Sequence, residues 1–222
     1  MVVEVAADRS SGRGEDAVMR AMTELRKRIK SREFLPGEHI RQEDMAQILG
    51  ISRVPVREAL KALSADGAIV HYPNQGYFVA KMSADEVAQI YRMRELLETE
   101  VLSNIVWPNE SGLRELRRIN EMMGSHSNAE DVSLFIELNH ELHFRIFDLS
   151  PTKIICSEIE RLWARSEAYR ALYHYSPEAR LRIIEEHDHI LDAVEQRELS
   201  SLISWSNTHR SAAGTHAQQQ LG

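Results

Sequence analysis

Histidine is the residue type that most clearly suggests a chemical site in this chain. The sequence contains ten histidines in 222 residues, and helical spacing separates those that face inward from those that face solvent. His189 shares its face with Glu185, Glu186 and Asp192 and is predicted to face solvent. Because an imidazole in an apolar bundle needs a polar partner, histidines converging from three helices favour a divalent metal ion, Zn²⁺ first and Ni²⁺ or Mn²⁺ as alternatives. The three that share a face with apolar neighbours are His143, His187 and His209.

Two other interpretations of these histidines stay open. They could line a metal-free effector pocket as polar core residues. They could also form a metal-dependent hydrolase, in which an open coordination position activates water. Against the hydrolase, no glutamate is placed with the histidines as in a His-Glu-x-x-His motif, so we expect that the protein is not an enzyme.

A second candidate site lies in the segment GISRVPVREALKAL, residues 50–63. Ser52 is placed to cap a helix of about residues 53–65, and Pro55 falls in its first turn, where a missing N–H is tolerated. Apolar side chains occupy one face of this helix, and cations at four-residue spacing occupy another. Arginines there can donate paired hydrogen bonds to guanine in the major groove, so the segment predicts a DNA interface. Its cations are Arg53, Arg57 and Lys61.

The elements around these residues predict a mainly α fold. Three helices, at about residues 15–31, 42–49 and 53–65, precede two β-type runs separated by Pro-Asn-Gln-Gly, and this order is typical of a winged helix-turn-helix, assigned to residues 15–81. Residues 82–216 predict an all-α antiparallel bundle, and the tails 1–14 and 217–222 are predicted to be disordered. The predicted helices of the bundle cover about residues 83–106, 110–126, 130–149, 151–172, 176–197 and 198–216.

Charge and composition agree with this division. Residues 1–80 contain 12 Lys and Arg against 11 Asp and Glu, whereas residues 81–222 contain 15 against 23. The acidic second part would repel DNA, which confines DNA binding to the first part. With one cysteine, no apolar run of membrane-span length and no leader pattern, we expect a cytoplasmic protein that does not contact a membrane.

The stretch PGEHIRQEDMAQILGISRVPVREALKALSADGAIVHYPNQGYFV, residues 36–79, resembles the DNA-binding domain of GntR-superfamily transcriptional regulators. The resemblance implies that Arg53 and Arg57 contact bases and backbone and that Gly76 approaches the minor groove. Many relatives have a basic residue where this chain has Glu43, which removes one expected DNA contact; Arg41 could compensate.

The second part resembles the FCD effector-binding domain of the FadR-type branch, in SADEVAQIYRMRELLETEVLSNIV and in two later stretches that contain the histidines. The resemblance implies that Arg94 faces the pocket and binds a carboxylate; the alternative is an intrahelical ion pair with Glu98. It also implies a metal site in which an asparagine stands where aspartate is common. The implied ligands are Asn139, His143, His187 and His209.

These features together predict a ligand-responsive transcription factor. We expect a homodimeric repressor that binds a two-fold DNA operator and responds to a small organic acid, a metal ion, or both. The metal-dependent hydrolase is the alternative function. A DNA-architectural protein without an effector is disfavoured by the large acidic bundle.

Overall fold

The computed structural model describes residues 9–130, 132–219 and 221. The N-terminal head contains three helices and three short strands in chain order: α1 (Arg9–Lys30), β1 (His39–Ile40), α2 (Gln42–Leu49), α3 (Arg53–Ala65), β2 (Ile69–Tyr72) and β3 (Gly76–Val79). This is a winged helix-turn-helix, which confirms the predicted fold of the first part.

In the turn between α2 and α3, the first helix ends and the second begins at the residues that the sequence predicts. Gly50 ends α2 with φ near 63°, a left-handed conformation that glycine adopts without steric penalty. Ser52 occupies the N-cap position of α3 with extended backbone, but its hydroxyl makes no capping hydrogen bond. The buried face of α3 packs against the rest of the head through Val56, Ala59, Leu60 and Leu63.

The wing contains one strand more than the predicted hairpin. β3 lies between β1 and β2 and pairs antiparallel with both of them. β1 is only two residues long, too short to show alternation in the sequence.

The second part of the chain is a bundle of seven helices within the described residues: α4 (Ala84–Ser103), α5 (Glu110–Ser125), α6 (Ser133–Phe147), α7 (Lys153–Arg165), α8 (Glu167–His174), α9 (Pro177–Gln196) and α10 (Leu199–Gln219). Ser83 and Glu86 form a capping box at the start of α4. The helix predicted over 151–172 is two helices, which are separated at Ser166, a residue with φ near −93° and ψ near 4°.

The head and the bundle share one apolar core. The core of the head continues into Tyr91, Tyr169 and Ala217 of the bundle, while a second core fills the rest of the bundle. The Tyr169 hydroxyl accepts a hydrogen bond of 2.7 Å from the backbone N–H of Met82 in the connection between β3 and α4. Helix α8 therefore contacts the segment that joins the two parts of the chain.

Helices extend into both tails that the sequence predicts to be disordered. Helix α1 begins at Arg9, before the predicted start at residue 15, and residues 1–8 lie outside the described residues. Helix α10 continues to Gln219, and Ala217 is fully buried against the core of the head. Among the helices that the structure describes, none combines the length and the apolar character of a membrane span.

Candidate metal, effector and DNA sites

Three of the predicted ligands come together in the centre of the bundle. His143 lies on α6, His187 on α9 and His209 on α10, and all three are buried. The Nε2 atom of His143 lies 3.1 Å from Nε2 of His209 and 3.2 Å from Nε2 of His187. The three ring nitrogens therefore point toward a common centre.

Polar side chains contact the Nδ1 atoms of two of the rings, on the side away from the common centre. Nδ1 of His209 lies 2.8 Å from a carboxylate oxygen of Glu186, and Nδ1 of His187 lies 3.2 Å from the amide oxygen of Asn120. Because carboxylate and amide oxygens accept hydrogen bonds, these contacts place the ring proton on Nδ1 and leave the Nε2 lone pair facing inward.

The position of Glu186 corrects the prediction from the sequence. Glu186 was grouped with solvent-facing residues around His189, but it is only 6% exposed and contacts the histidine cluster. A glutamate therefore does accompany the histidines, although not in the spacing of a His-Glu-x-x-His motif. Glu186 lies three residues after Ile183 and four before Ile190, which is the buried line of α9, and this spacing is the signal that could have identified it.

The electrostatic setting keeps two of these histidines neutral. Burial lowers the pKa of His143 well below its usual value, and repulsion by the neighbouring histidines and arginines adds to the shift. Burial likewise lowers the pKa of His187, with a further contribution from His209 and His174. Neutral imidazole is the form that binds metal ions.

Asn139 lies one turn before His143 on α6, and its side chain is buried. Its amide oxygen has no hydrogen-bond partner within the described residues. A buried carbonyl oxygen without a partner is costly unless something binds it, so this atom is available to a ligand.

The ion pair between Arg94 and Glu98, predicted as the alternative to a bound carboxylate, is present and is buried inside the protein. Arg94 Nε donates to Glu98 at 2.7 Å, while Arg210 and Trp163 donate to the same carboxylate at 2.7 and 2.8 Å. Burial opposes ionisation of Glu98, yet the two guanidinium groups outweigh it and keep the pKa of the carboxyl below its usual value.

Arg94 also borders a small cavity in the bundle. Its Nη1 atom is buried and makes no hydrogen bond to any described residue. Arg94 and Arg210 line a cavity together with His143 and His209, and its volume of about 10 Å³ holds roughly one water molecule. A larger ligand requires the surrounding side chains to move.

The predicted DNA-contacting cations lie exposed on α3, with exposed fractions of 64% for Arg53, 51% for Arg57 and 55% for Lys61. Arg53 forms a short ion pair with Glu43 on α2, and Lys61 contacts Glu58 at 3.1 Å. The backbone N–H of Glu43 and the guanidinium of Arg53 lower the pKa of the Glu43 carboxyl. Glu43 therefore contacts the predicted recognition residue Arg53.

The other predicted DNA residues lie at the edges of the same head. Arg41 is exposed at the start of α2, and Ser52 is exposed at the start of α3. Ile40 pairs with Tyr77 in the antiparallel sheet. Arg41, which follows Ile40, and Gly76, which precedes Tyr77, therefore lie at the same end of the sheet. Gly76 has a φ of 102°, and a Cβ there would lie 2.8 Å from the His39 ring, so this position needs glycine.

Comparison with known proteins connects both parts of the chain to one family. The model of bacterial regulatory proteins of the gntR family matches residues 18–79, and the FCD domain model matches residues 89–210. The gluconate operon transcriptional repressor of Bacillus subtilis is 30% identical over 193 residues, covering 83% of this chain and 78% of that protein. The transcriptional regulator McbR of Escherichia coli is 29% identical over 160 residues, covering 70% and 72%.

Solved structures show the same fold. Escherichia coli McbR/YncC superposes with a TM-score of 0.77 at 21% identity, covering 93% of this chain and 99% of that one. A regulator from Rhodococcus described as a putative GntR protein superposes with a TM-score of 0.75 at 19% identity, covering 90% and 96%.

Proposed function

This chain belongs to the GntR family of bacterial transcriptional regulators and carries an FCD domain, and from that premise we propose that it is a homodimeric repressor of the FadR-type branch. In this proposal a metal ion and a small organic acid bind in the bundle and control the binding of the head to a two-fold operator. The regulator function itself rests on the family; the family gives no support to the alternative of a metal-dependent hydrolase.

The metal proposal is carried by the convergence of the three Nε2 atoms at 3.1 and 3.2 Å. Imidazole nitrogens bind Zn²⁺ at about 2.0–2.1 Å, so nitrogens this close together can share one ion. Asn139 would supply a fourth, neutral ligand through its unpaired amide oxygen. The ion would supply positive charge and an open position that attract a carboxylate.

The organic acid proposal follows from the charges beside the histidines. Arg94 has an unpaired donor at the cavity that His143 and His209 also line. A guanidinium group binds a carboxylate through charge-assisted hydrogen bonds. Because the cavity holds only about one water molecule, an acid can bind only if the surrounding side chains move. The acid changes DNA affinity only if it binds one arrangement of the two heads more tightly than another.

The dimer proposal rests on exposed apolar side chains of α4 and α7. Met93 and Leu96 on α4 are 48% and 54% exposed, and Ile154 on α7 is 81% exposed. A second copy of the chain would cover these side chains and place two heads on two half-sites. Met93→Asp should convert the dimer to a monomer in light scattering, whereas Leu181→Asp, at an exposed leucine of α9, should leave it intact. A wild-type monomer, or a dimer that survives Met93→Asp, contradicts this surface.

The test of the metal proposal is elemental analysis of dialysed protein together with melting curves in Zn²⁺, Ni²⁺ and Mn²⁺. We expect a stoichiometric ion in the wild type and a metal-induced rise in melting temperature, because an ion that binds only the folded state stabilises it. His187→Ala should abolish both. His189→Ala is the matched control, because His189 lies on the same helix but its half-buried ring stacks on Trp205 of α10 and is not part of the histidine cluster. No metal in the wild type, or equal metal in the His187 variant, refutes the site.

The regulatory proposal is tested on DNA selected from a random pool by the full chain. Acids are then titrated into the protein–DNA complex with and without Zn²⁺, and the panel includes gluconate because a similar regulator is named for that operon. We expect at least one acid to release the DNA and Arg94→Ala to weaken that response. If no acid changes DNA affinity, the acid effector is refuted.

A further inference from the structure

The histidine cluster lies in a closed part of the bundle. His143, His187 and His209 are each at most 8% exposed, and the cavity beside them has a volume of about 10 Å³. A metal ion or an acid can therefore reach the histidines only if part of the protein moves. The proposed ligand site needs an entrance.

A surface groove between α4 and α10 lies next to this cavity. It has a volume of about 230 Å³, and Arg92 and Glu95 of α4 line it together with Arg210 of α10. Arg210 also lines the inner cavity, on the side of Glu98 and His209. Because Arg210 is only 4% exposed and has the cavity on one side and the groove on the other, its side chain separates the two.

Two hydrogen bonds hold Arg210 in this position. Its Nη1 atom donates to Oε2 of Glu98 at 2.7 Å, and its Nη2 atom donates to the side-chain oxygen of Asn207 in a short contact. The other oxygen of Glu98, Oε1, accepts from Nε of Arg94 and from the indole N–H of Trp163. If Arg210 moves away, Glu98 keeps these two donors, so no buried carboxylate is left without a partner.

A second carboxylate lies on the groove side of Arg210. Glu95 precedes Glu98 by three residues on α4, which places both carboxylates on the same face of the helix. The side chain of Glu95 is 43% exposed and pairs with Arg92 at 2.7 Å. Exposed pairs of this kind are weak, so Glu95 can exchange Arg92 for Arg210. Arg210 therefore has one carboxylate on the cavity side and another on the solvent side.

We propose that Arg210 is a gate for the ligands of the bundle, which closes the cavity when it pairs with Glu98 and opens a path between α4 and α10 when it pairs with Glu95. This inference rests on the proposed ligand site and adds how a ligand reaches it. Arg92 controls the gate from the surface, because it occupies Glu95 while the gate is closed. Removing Arg92 and removing the charge of Glu95 should therefore have opposite effects on a buried site.

Exchange of the Trp163 indole N–H with deuterated water, followed by NMR on the metal-stripped full chain, tests the gate without any ligand. This N–H donates to Glu98 and the residue is 2% exposed, so the proton exchanges only when water reaches the carboxylate. We expect Arg92→Met to accelerate the exchange and Glu95→Gln to slow it, each by about two- to fivefold, the effect of an exposed ion pair. Arg210→Met should accelerate it by at least about tenfold, because it removes the gate itself.

Arg118→Met is the matched control for the surface variants. Arg118 forms an exposed pair with Glu115 three residues away on α5, as Arg92 does with Glu95 on α4, and it lines neither the groove nor the cavity. This variant should exchange like the wild type.

Transfer of Zn²⁺ between the protein and a chelator gives a second measurement. Arg92→Met should accelerate uptake and release of Zn²⁺ by the same factor, and Glu95→Gln should slow both, because a gate changes the path to the site and leaves the bound and free states as they are. The equilibrium affinity should therefore equal that of the wild type in both variants.

Equal indole exchange in the wild type and both surface variants would overturn the gate, and so would changes that only follow the free energy of unfolding in urea. A change in Zn²⁺ release without a matching change in uptake also contradicts it, because it would show an effect on binding of the ion. If Arg210→Met does not fold, the two surface variants decide. If the wild type binds no Zn²⁺, the metal proposal fails, while the indole exchange still decides the gate.

Discussion

Replacement of Glu186 by glutamine tests whether this carboxylate strengthens the binding of metal by His209. The carboxylate accepts the Nδ1 proton of His209 at 2.8 Å and is itself buried. Glutamine keeps the shape and can still accept this hydrogen bond through its amide oxygen, but it removes the negative charge. The change therefore acts on the basicity and orientation of His209 and leaves the ligand in place.

The expected effect is a loss of metal affinity by a factor of about 10 to 100, the usual consequence of removing a partner that orients a metal-binding histidine. This corresponds to about 1.4–2.7 kcal/mol of binding free energy. The lower end applies if the glutamine oxygen takes over the hydrogen bond, because hydrogen bonds to charged groups are about twice as strong as neutral ones.

Competition of the protein with a chromophoric chelator for Zn²⁺ measures this affinity directly. Glu185→Gln is the matched control, because it removes the same charge from the exposed neighbouring position on α9, and it should bind Zn²⁺ like the wild type. Equal affinities for the Glu186 variant and the wild type would refute the role of Glu186. A wild type that binds no Zn²⁺ would refute the metal site itself.

Further predictions concern the DNA surface, the contact between head and bundle, and pH. Arg57→Ala should weaken binding to the selected operator by about 1–3 kcal/mol in fluorescence anisotropy without changing the melting temperature, because the side chain is exposed; unchanged affinity contradicts the DNA site. Tyr169→Phe should lower the free energy of unfolding in urea by about 1–3 kcal/mol, because the Met82 N–H loses its acceptor in a buried position; an unchanged value contradicts this. Burial lowers the pKa of His174 well below 6.5, so its contribution to stability is complete above that pH and is lost as pH falls, by about 1.4 kcal/mol per unit. Urea midpoints of metal-free protein should therefore fall between pH 7.5 and 5.5, and His174→Gln should reduce the slope.

Local patterns in the sequence predicted the helices and the inward histidines well. Gly50 marks the end of α2 because its own backbone conformation requires glycine, and His187 is surrounded on its helix face by apolar residues that must be buried. Both features depend on neighbours within four residues along the chain. Such information is present in any single sequence.

Contacts between distant segments could not be predicted in this way. Asn120 reaches His187 from α5, and Trp163 reaches Glu98 from α7, and nothing in their local spacing indicates these partners. The break between α7 and α8 at Ser166 has no proline or glycine to mark it in the sequence.

The ion pair between Glu43 and Arg53 has a consequence for how the regulator searches a genome. Random DNA attracts proteins through phosphate charge alone, and a carboxylate that shields a recognition arginine reduces that attraction at every site. At the operator, base contacts replace the lost partner, so the shielding weakens binding there less than it weakens binding elsewhere. If Arg53 contacts DNA as predicted, the exposed pair with Glu43 must open at every DNA site, so Glu43 would lower the affinity of the head for random DNA, and base contacts at the operator would have to offset that cost.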